Sequence, residues 1–288
     1  MPAQRLDAAK AVTFRTLLFV PGDRPERFDK AAASGADALI LDLEDSVAAA
    51  AKLSARANVA AWLAAPPSLP VFVRVNPLGS GQIDDDLAAA RGGQAFGVVL
   101  PKAEGAADLA ALATRLVGTD LKILPIVTET PRAMFHLGEY GGVTDRLVGL
   151  TWGAEDLSAA VGASTAREAD GRYRPPYEFA RSMTLFAAHA AGVAAIETVF
   201  PNLADVAGLE AYAARGRQDG FNGMLALHPN QIAPIHAGFA PTAEEMSHAR
   251  AIVAHFAAGS GAGALRLGGR MIDAPHLAAA QRLLARAR

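Results

Sequence analysis

Lys122-Ile-Leu-Pro-Ile-Val-Thr-Glu-Thr130 and Arg146-Leu-Val-Gly-Leu-Thr-Trp-Gly-Ala-Glu-Asp156 each begin as an apolar run and end in acidic side chains, with a helix-length segment between them. A short, almost continuously apolar run is what a parallel strand buried on both faces requires. An acid where such a strand turns polar lies where α/β barrels place their chemistry, at the C-terminal strand ends. Together the two stretches predict a metal site at the mouth of a barrel.

The same pattern recurs on both sides. Thr16-Leu-Leu-Phe-Val-Pro21, Ala38-Leu-Ile-Leu-Asp-Leu-Glu-Asp45, Pro70-Val-Phe-Val-Arg-Val-Asn76 and Gly97-Val-Val-Leu-Pro-Lys102 precede the pair. Gly192-Val-Ala-Ala-Ile-Glu-Thr-Val-Phe200 and Gly223-Met-Leu-Ala-Leu-His228 follow it. Ala/Leu-rich intervals with helical spacing separate the runs, giving eight strand–helix units. Eight such units in roughly 250 residues predict a TIM (β/α)8 barrel of the α/β class rather than a doubly wound sheet. Residues 1–238 are read as the barrel and 239–288 as a C-terminal helical arm or lid. The arm consists of a helix over Thr242 to Ala258, a glycine-rich hinge over 259–263, a short segment Arg266 to Ile272, and a final helix from Pro275.

Composition narrows the function class. The chain has 288 residues, a formal charge of −2 and no cysteine. Charge of mixed sign gives no footprint for nucleic acid or another polyanion, and the lack of cysteine removes disulfides, thiolate nucleophiles and sulfur metal sites. Met1 to Phe14 has no uninterrupted apolar core, and no apolar run approaches the ~20 residues of a membrane helix. The expectation is a cytoplasmic enzyme with no nucleic-acid or membrane partner.

Glu129 and Asp156 are hard oxygen ligands from neighbouring strands, and Mg²⁺ commonly takes one or two protein carboxylates with water and substrate oxygens. The alternative reading makes each a helix-start charge before Pro131 or Leu157. Zinc is disfavoured, because the seven histidines are scattered. In Leu41-Asp-Leu-Glu-Asp45 the alternation puts Asp42 and Glu44 on one face. Acids this close need a compensating cation, and Arg74 on the next strand fits. Glu44 with Arg74 is therefore either a brace at the barrel mouth, a catalytic pair, or both. Arg74, ahead of Asn76 and Pro77, can also donate to an oxygen that gains charge during reaction. Arg24 and Arg27 flank a first helical turn and suit phosphate or solvent alike. His228, before Pro229, could serve as an acid, a base or a structural hydrogen-bond donor, and the turn before proline favours the structural reading.

Leu18-Phe-Val-Pro-Gly22, Leu41-Asp-Leu-Glu-Asp-Ser-Val47, Arg74-Val-Asn76, Leu100-Pro-Lys102, Thr128-Glu-Thr130, Trp152-Gly-Ala-Glu-Asp-Leu157, Leu227-His-Pro-Asn-Gln-Ile232 and Met271-Ile-Asp-Ala-Pro275 resemble, in order and along nearly the whole chain, the HpcH/HpaI aldolase and citrate lyase β-subunit-like family. The resemblance implies a TIM barrel with Mg²⁺ on Glu129 and Asp156, and Arg74 at the reacting carbonyl. It implies a homotrimer or a multiple of it, in which Asp273 of the arm reaches a neighbouring subunit's site; read without it, Asp273 is a helix cap. The expected activity is Mg²⁺-dependent cleavage of a malyl-, citramalyl- or citryl-type acyl-CoA to acetyl-CoA and a 2-oxo acid. Arg74, Asp273 and Glu44 are the expected catalytic residues. Arg74 and the backbone at Glu155, Asp156 and Leu157 would bind substrate, and Arg24, Arg27 and Lys102 would contact the coenzyme. A thioesterase, a free 2-oxo-acid aldolase and a carrier-dependent citrate lyase subunit are the alternatives. The chain departs from many relatives at Met224, where they carry Lys, at Glu197, where they carry Asp, and in the helix expected over Pro131 to His136.

Overall fold

The computed structural model describes residues 14–258 and 264–286. The eight runs form β1 (Thr16–Pro21), β2 (Ala38–Asp42), β3 (Val71–Arg74), β4 (Gly97–Leu100), β5 (Lys122–Pro125), β6 (Gly149–Thr151), β7 (Ala194–Glu197) and β8 (Gly223–Ala226). Their order is β5-β4-β3-β2-β1-β8-β7-β6, with parallel pairing throughout. Parallel bridges from Ile123 to Leu147 and from Ile126 to Thr151 join β5 to the β6 segment and close the ring. The fold is a TIM barrel.

Seven connections carry α-helix: α1 (Phe28–Ala32), α2 (Lys52–Leu63), α3 (Ile83–Arg91), α4 (Ala106–Arg115), then α5 (Glu155–Ala160) with α6 (Pro175–Ala191) after β6, α7 (Val206–Asp219), and α8 (Ile232–Phe239) after β8. The connection after β5 differs from expectation. It contains only two 3₁₀ turns, Ala133–Phe135 and Leu137–Glu139. Thr130 Oγ1 accepts the Ala133 amide at 3.1 Å, and the buried Tyr140 hydroxyl accepts from the Gly105 amide and donates to Ala103 O, both at 3.0 Å. These bonds, with Gly138, Gly141 and Gly142, replace the helix ladder.

The inward rows explain how the site is placed. Leu17, Ile40, Phe72, Val99, Leu124, Ile196 and Leu225 share one buried core with Phe14. Phe14, Phe72 and Phe96 meet edge-on with centroids 5.2–5.7 Å apart. Phe14 and Phe96 precede β1 and β4, so this aromatic plug fills the N-terminal end of the barrel. In register, Ile40 pairs with Phe72, and two residues further along Asp42 pairs with Arg74. Side chains two apart on a strand share a face. The row that packs the interior therefore emerges at the C-terminal mouth as an acid beside an arginine.

From Gly238 onward the chain forms a separate compact unit. There α9 (Ala243–Ala258), an antiparallel hairpin β9 (Ala264–Leu267) and β10 (Arg270–Asp273), and α10 (Ala274–Arg286) surround Ala249, Ile252, Ile272 and Ala280. The hairpin turns on Gly268 and Gly269, with φ of 55° and 81°, the left-handed pair such two-residue turns require. The expected hinge over 259–263 and the N-terminal reading of Met1 to Thr13 lie outside the described residues. Among the described residues no helix is long and apolar enough to cross a membrane.

Candidate active site

The C-terminal ends of the barrel strands enclose a cavity of about 270 Å³, lined among others by Phe19, Asp42, Arg74, Glu129, Trp152 and Asp156. Its polar wall is built on Arg74. The guanidinium donates from Nε to Asp42 Oδ1 at 2.7 Å and from Nη2 to Asp42 Oδ2 at 2.6 Å, a two-point fork on a carboxylate that is 1% exposed. Asp42 also accepts the Glu44 and Ser46 amides at 2.9 and 3.1 Å. Burial alone raises its carboxyl, but the Arg74 hydrogen bonds and charge outweigh this and hold it below its ordinary value. The Arg74 guanidinium lies 4.9 Å over the Phe19 ring, so its face is held as well as its edge.

Glu44 is the second partner of Arg74, with Nη1 3.0 Å from Oε2 in a charge contact outside hydrogen-bond alignment. Its other oxygen accepts from Lys102 Nζ at 2.5 Å. Burial pushes its carboxyl up by more than the charges of Arg74 and Lys102 bring it down. Behind it, Lys52 Nζ donates to Leu43 O and Glu44 O, both at 2.7 Å, and to Asn76 Oδ1 at 3.0 Å, which fixes the backbone after β2.

Glu129 is 4% exposed. Its Oε2 accepts the Lys102 amide at 2.6 Å, and its Oε1 lies where a side chain at Gly153 would press, with a Cβ there 3.2 Å from that oxygen and 3.0 Å from Cγ. Only glycine leaves this space free. Burial and the negative charge of Asp156 push the Glu129 carboxyl up to about 8. A buried acid beside a second acid, short of positive charge, is the environment a divalent cation corrects. Among the described residues no set of three or more His, Cys, Asp or Glu side chains is arranged for a metal. A two-carboxylate centre suits Mg²⁺, which keeps its other positions for water and substrate oxygens, and does not suit a zinc cage.

Asp156 lies in the first turn of α5 and lines the cavity with Glu155. The first amide bond of that helix runs from Ser158 to Ala154 O at 2.9 Å, so the Glu155, Asp156 and Leu157 amides precede it. The Leu157 side chain is buried. Arg24 and Arg27 are exposed, each 3.9 Å from the neighbouring acid Asp23 or Glu26, and neither lines the cavity. His228 caps its own turn by accepting the Asn230 amide at 3.2 Å. In the arm, Asp273 ends β10 with Oδ1 2.5 Å from His276 Nδ1. That hydrogen bond, outweighing slight burial, holds its carboxyl below the ordinary value.

One layer of the site was not anticipated from sequence. Glu197, fully buried at the end of β7, accepts from Trp152 Nε1 at 2.5 Å, Arg181 Nε at 2.6 Å, the Thr198 amide at 2.9 Å and Tyr212 OH at 2.8 Å. Arg181 also donates to Asp219 at 2.7 Å. The network locks the Trp152 indole that walls the cavity. The longer glutamate at this departure position is what spans the indole, guanidinium and phenol together.

Known proteins share this plan. The HpcH/HpaI aldolase/citrate lyase family model matches residues 15–229. A citrate lyase subunit beta-like protein of Mycobacterium tuberculosis is 41% identical over 270 residues, 94% of each chain. A (3S)-malyl-CoA thioesterase of Cereibacter sphaeroides is 32% identical over 287 residues, 97% of this chain and 96% of its own. The crystal structure of CitE from M. tuberculosis with magnesium, acetoacetate and coenzyme A superposes with a TM-score of 0.84 at 37% identity, covering 96% of this chain and 99% of that one. A citrate lyase beta subunit from the same organism, complexed with oxaloacetate and magnesium, gives a TM-score of 0.72 at 39% identity over 80% of this chain and 99% of its own. The chain belongs to the HpcH/HpaI aldolase/citrate lyase family.

Proposed function

We propose that the protein is a Mg²⁺-dependent carbon–carbon lyase that cleaves a 3-hydroxy-3-carboxyacyl-CoA of the malyl, citramalyl or citryl type to acetyl-CoA and a 2-oxo acid. The observation that carries this reading is the pairing, in one cavity, of the Glu129 and Asp156 carboxylates with an arginine whose guanidinium is fixed by Asp42. Glu129 and Asp156 would hold the ion. When bound, it supplies Lewis acidity and a template for the substrate's hydroxyl and adjacent carboxylate.

Arg74 stabilises the oxygen of the departing acetyl thioester enolate. Its edge is held by Asp42 and its face by Phe19, so little reorganisation accompanies the charge that develops. The amides of Glu155, Asp156 and Leu157 receive the substrate carboxylate. Glu44, whose carboxyl lies above its ordinary value, takes up the hydroxyl proton. Asp273 of a neighbouring copy serves the enolate carbon, giving a proton in cleavage and removing one in condensation. In the arm His276 favours the Asp273 carboxylate, the form condensation needs; for cleavage the carboxyl must first take up a proton. The assembly is a homotrimer or a multiple of it, residues 239–288 act as the lid, and Arg24 and Arg27 meet the coenzyme phosphates.

Glu129→Ala and Asp156→Ala test the reading. Each should keep the circular dichroism of the wild type and lose Mg²⁺-dependent cleavage by at least ~10²-fold. Near-wild-type turnover by either variant in EDTA would overturn the metal assignment. A thioesterase is the second reading, favoured by the C. sphaeroides relative. It would release free CoA and an intact hydroxy diacid in place of a 2-oxo acid.

A further inference from the structure

Lys102 is the one described non-glycine residue with a left-handed backbone, at φ 53°. Such a conformation is unfavourable in a residue with a side chain, and persists where surrounding contacts fix it. Those contacts are three acids from different strand ends. The Lys102 amide donates to Glu129 at 2.6 Å, and its ammonium lies 2.5 Å from Glu44 Oε1 and 3.3 Å from Asp156 Oδ1. Asp45 stands further off, at 3.8 Å.

We infer that Lys102 is a positioning residue: a built-in counter-cation that holds Glu129 and Asp156 ready for a divalent ion and yields Asp156 when the ion arrives. The inference rests on the reading of those two acids as metal ligands. The charges at the mouth require such a device. Asp42, Glu44, Asp45, Glu129 and Asp156 face two cations, and Arg74 is immobilised by its fork on Asp42. The Lys102 ammonium is a compact charge on a flexible stem, able to leave one carboxylate while keeping another. An incoming divalent ion at Asp156 repels it, and Glu44, its shorter contact, retains it there. Glu44 thus remains a carboxylate beside Arg74, and the amide bond to Glu129 is undisturbed because it belongs to the backbone. Both ends of Lys102 are accordingly committed to the acids, and its role is distinct from contact with a coenzyme phosphate.

The test is calorimetric titration of Mg²⁺ alone into dialysed wild type, Lys102→Met and Lys102→Arg, with kinetics on the same preparations. Removing a cation that competes for Asp156 should tighten Mg²⁺ binding by at least ~5-fold in Lys102→Met. In that variant kcat/KM for the acyl-CoA should fall at least ~10-fold, with KM changed less than ~3-fold. Lys102→Arg keeps the charge and should bind Mg²⁺ within ~2-fold of wild type. If Lys102→Met does not give a native circular dichroism spectrum, Lys102→Gln takes its place, with the same expectations. Unchanged or weaker Mg²⁺ binding in the neutral variant overturns the inference, as does a rise in KM alone, which would assign the lysine to the coenzyme. A wild type that takes up no Mg²⁺ overturns the metal reading and the inference together; a wild type that binds it without the tightening overturns the inference alone.

Discussion

Glu129→Gln should make the magnesium-free protein more stable in mild alkali, although it removes a metal ligand. The carboxyl of Glu129 is raised from its ordinary 4.5 to about 8 by burial and by Asp156. Between those pH values the folded chain binds a proton that the unfolded chain has already lost. The stability this contributes is present below the unfolded value and is lost as pH rises through the folded one. At ~1.4 kcal/mol per pH unit, a rise from 4.5 to about 8 sets a ceiling on the order of 5 kcal/mol. Water reaching the open cavity lowers this to about 2 kcal/mol, which for a domain of this size is a melting shift of about 4–8 °C. Glutamine keeps the shape and can still accept the Lys102 amide, so it deletes the charge and little else. The assay is thermal unfolding of dialysed wild type and Glu129→Gln at about pH 5 and about pH 8, with EDTA or with Mg²⁺. Wild type in EDTA should lose stability across that range relative to the variant, and Mg²⁺ should restore it in wild type alone. Equal pH dependence in the two proteins, or no gain from glutamine near pH 8, would refute the argument that an uncompensated acid occupies this position.

Arg74→Lys keeps the charge and loses the fork on Asp42, so kcat should fall more than KM rises in steady-state kinetics; a change confined to KM would place Arg74 in ground-state binding. Arg181→Met leaves Glu197 buried beside Trp152 without its cation, and chemical denaturation should report a loss of ~3–5 kcal/mol. Mixing inactive Asp273→Asn and Glu129→Ala subunits after dissociation should restore activity above either parent. No gain in demonstrably mixed oligomers would mean that Asp273 acts in its own chain or only beside His276.

The strands were legible because burial on both faces imposes runs such as Leu17 to Val20 and Gly97 to Leu100. The acids at the ends of β5 and β6 and the arginine of β3 followed from the same register. The loop after β5 was misread as helix because its stability comes from Tyr140, whose partners lie 35 and 37 residues away. The β9–β10 hairpin had a readable signal in Gly268-Gly269, a two-residue turn between alternating apolar positions. Glu197, Arg181 and Tyr212 meet only through the fold, and sequence offers no sign that one carboxylate will collect all three. The left-handed Lys102 was equally hidden, since lysine carries no preference for that conformation.

The most direct measurement is product analysis after incubating citramalyl-CoA and malyl-CoA with the protein and Mg²⁺. Acetyl-CoA with pyruvate or glyoxylate is expected in equal amounts, abolished by EDTA. Free CoA with intact citramalate or malate, or 2-oxo acid formed equally well in EDTA, would contradict it.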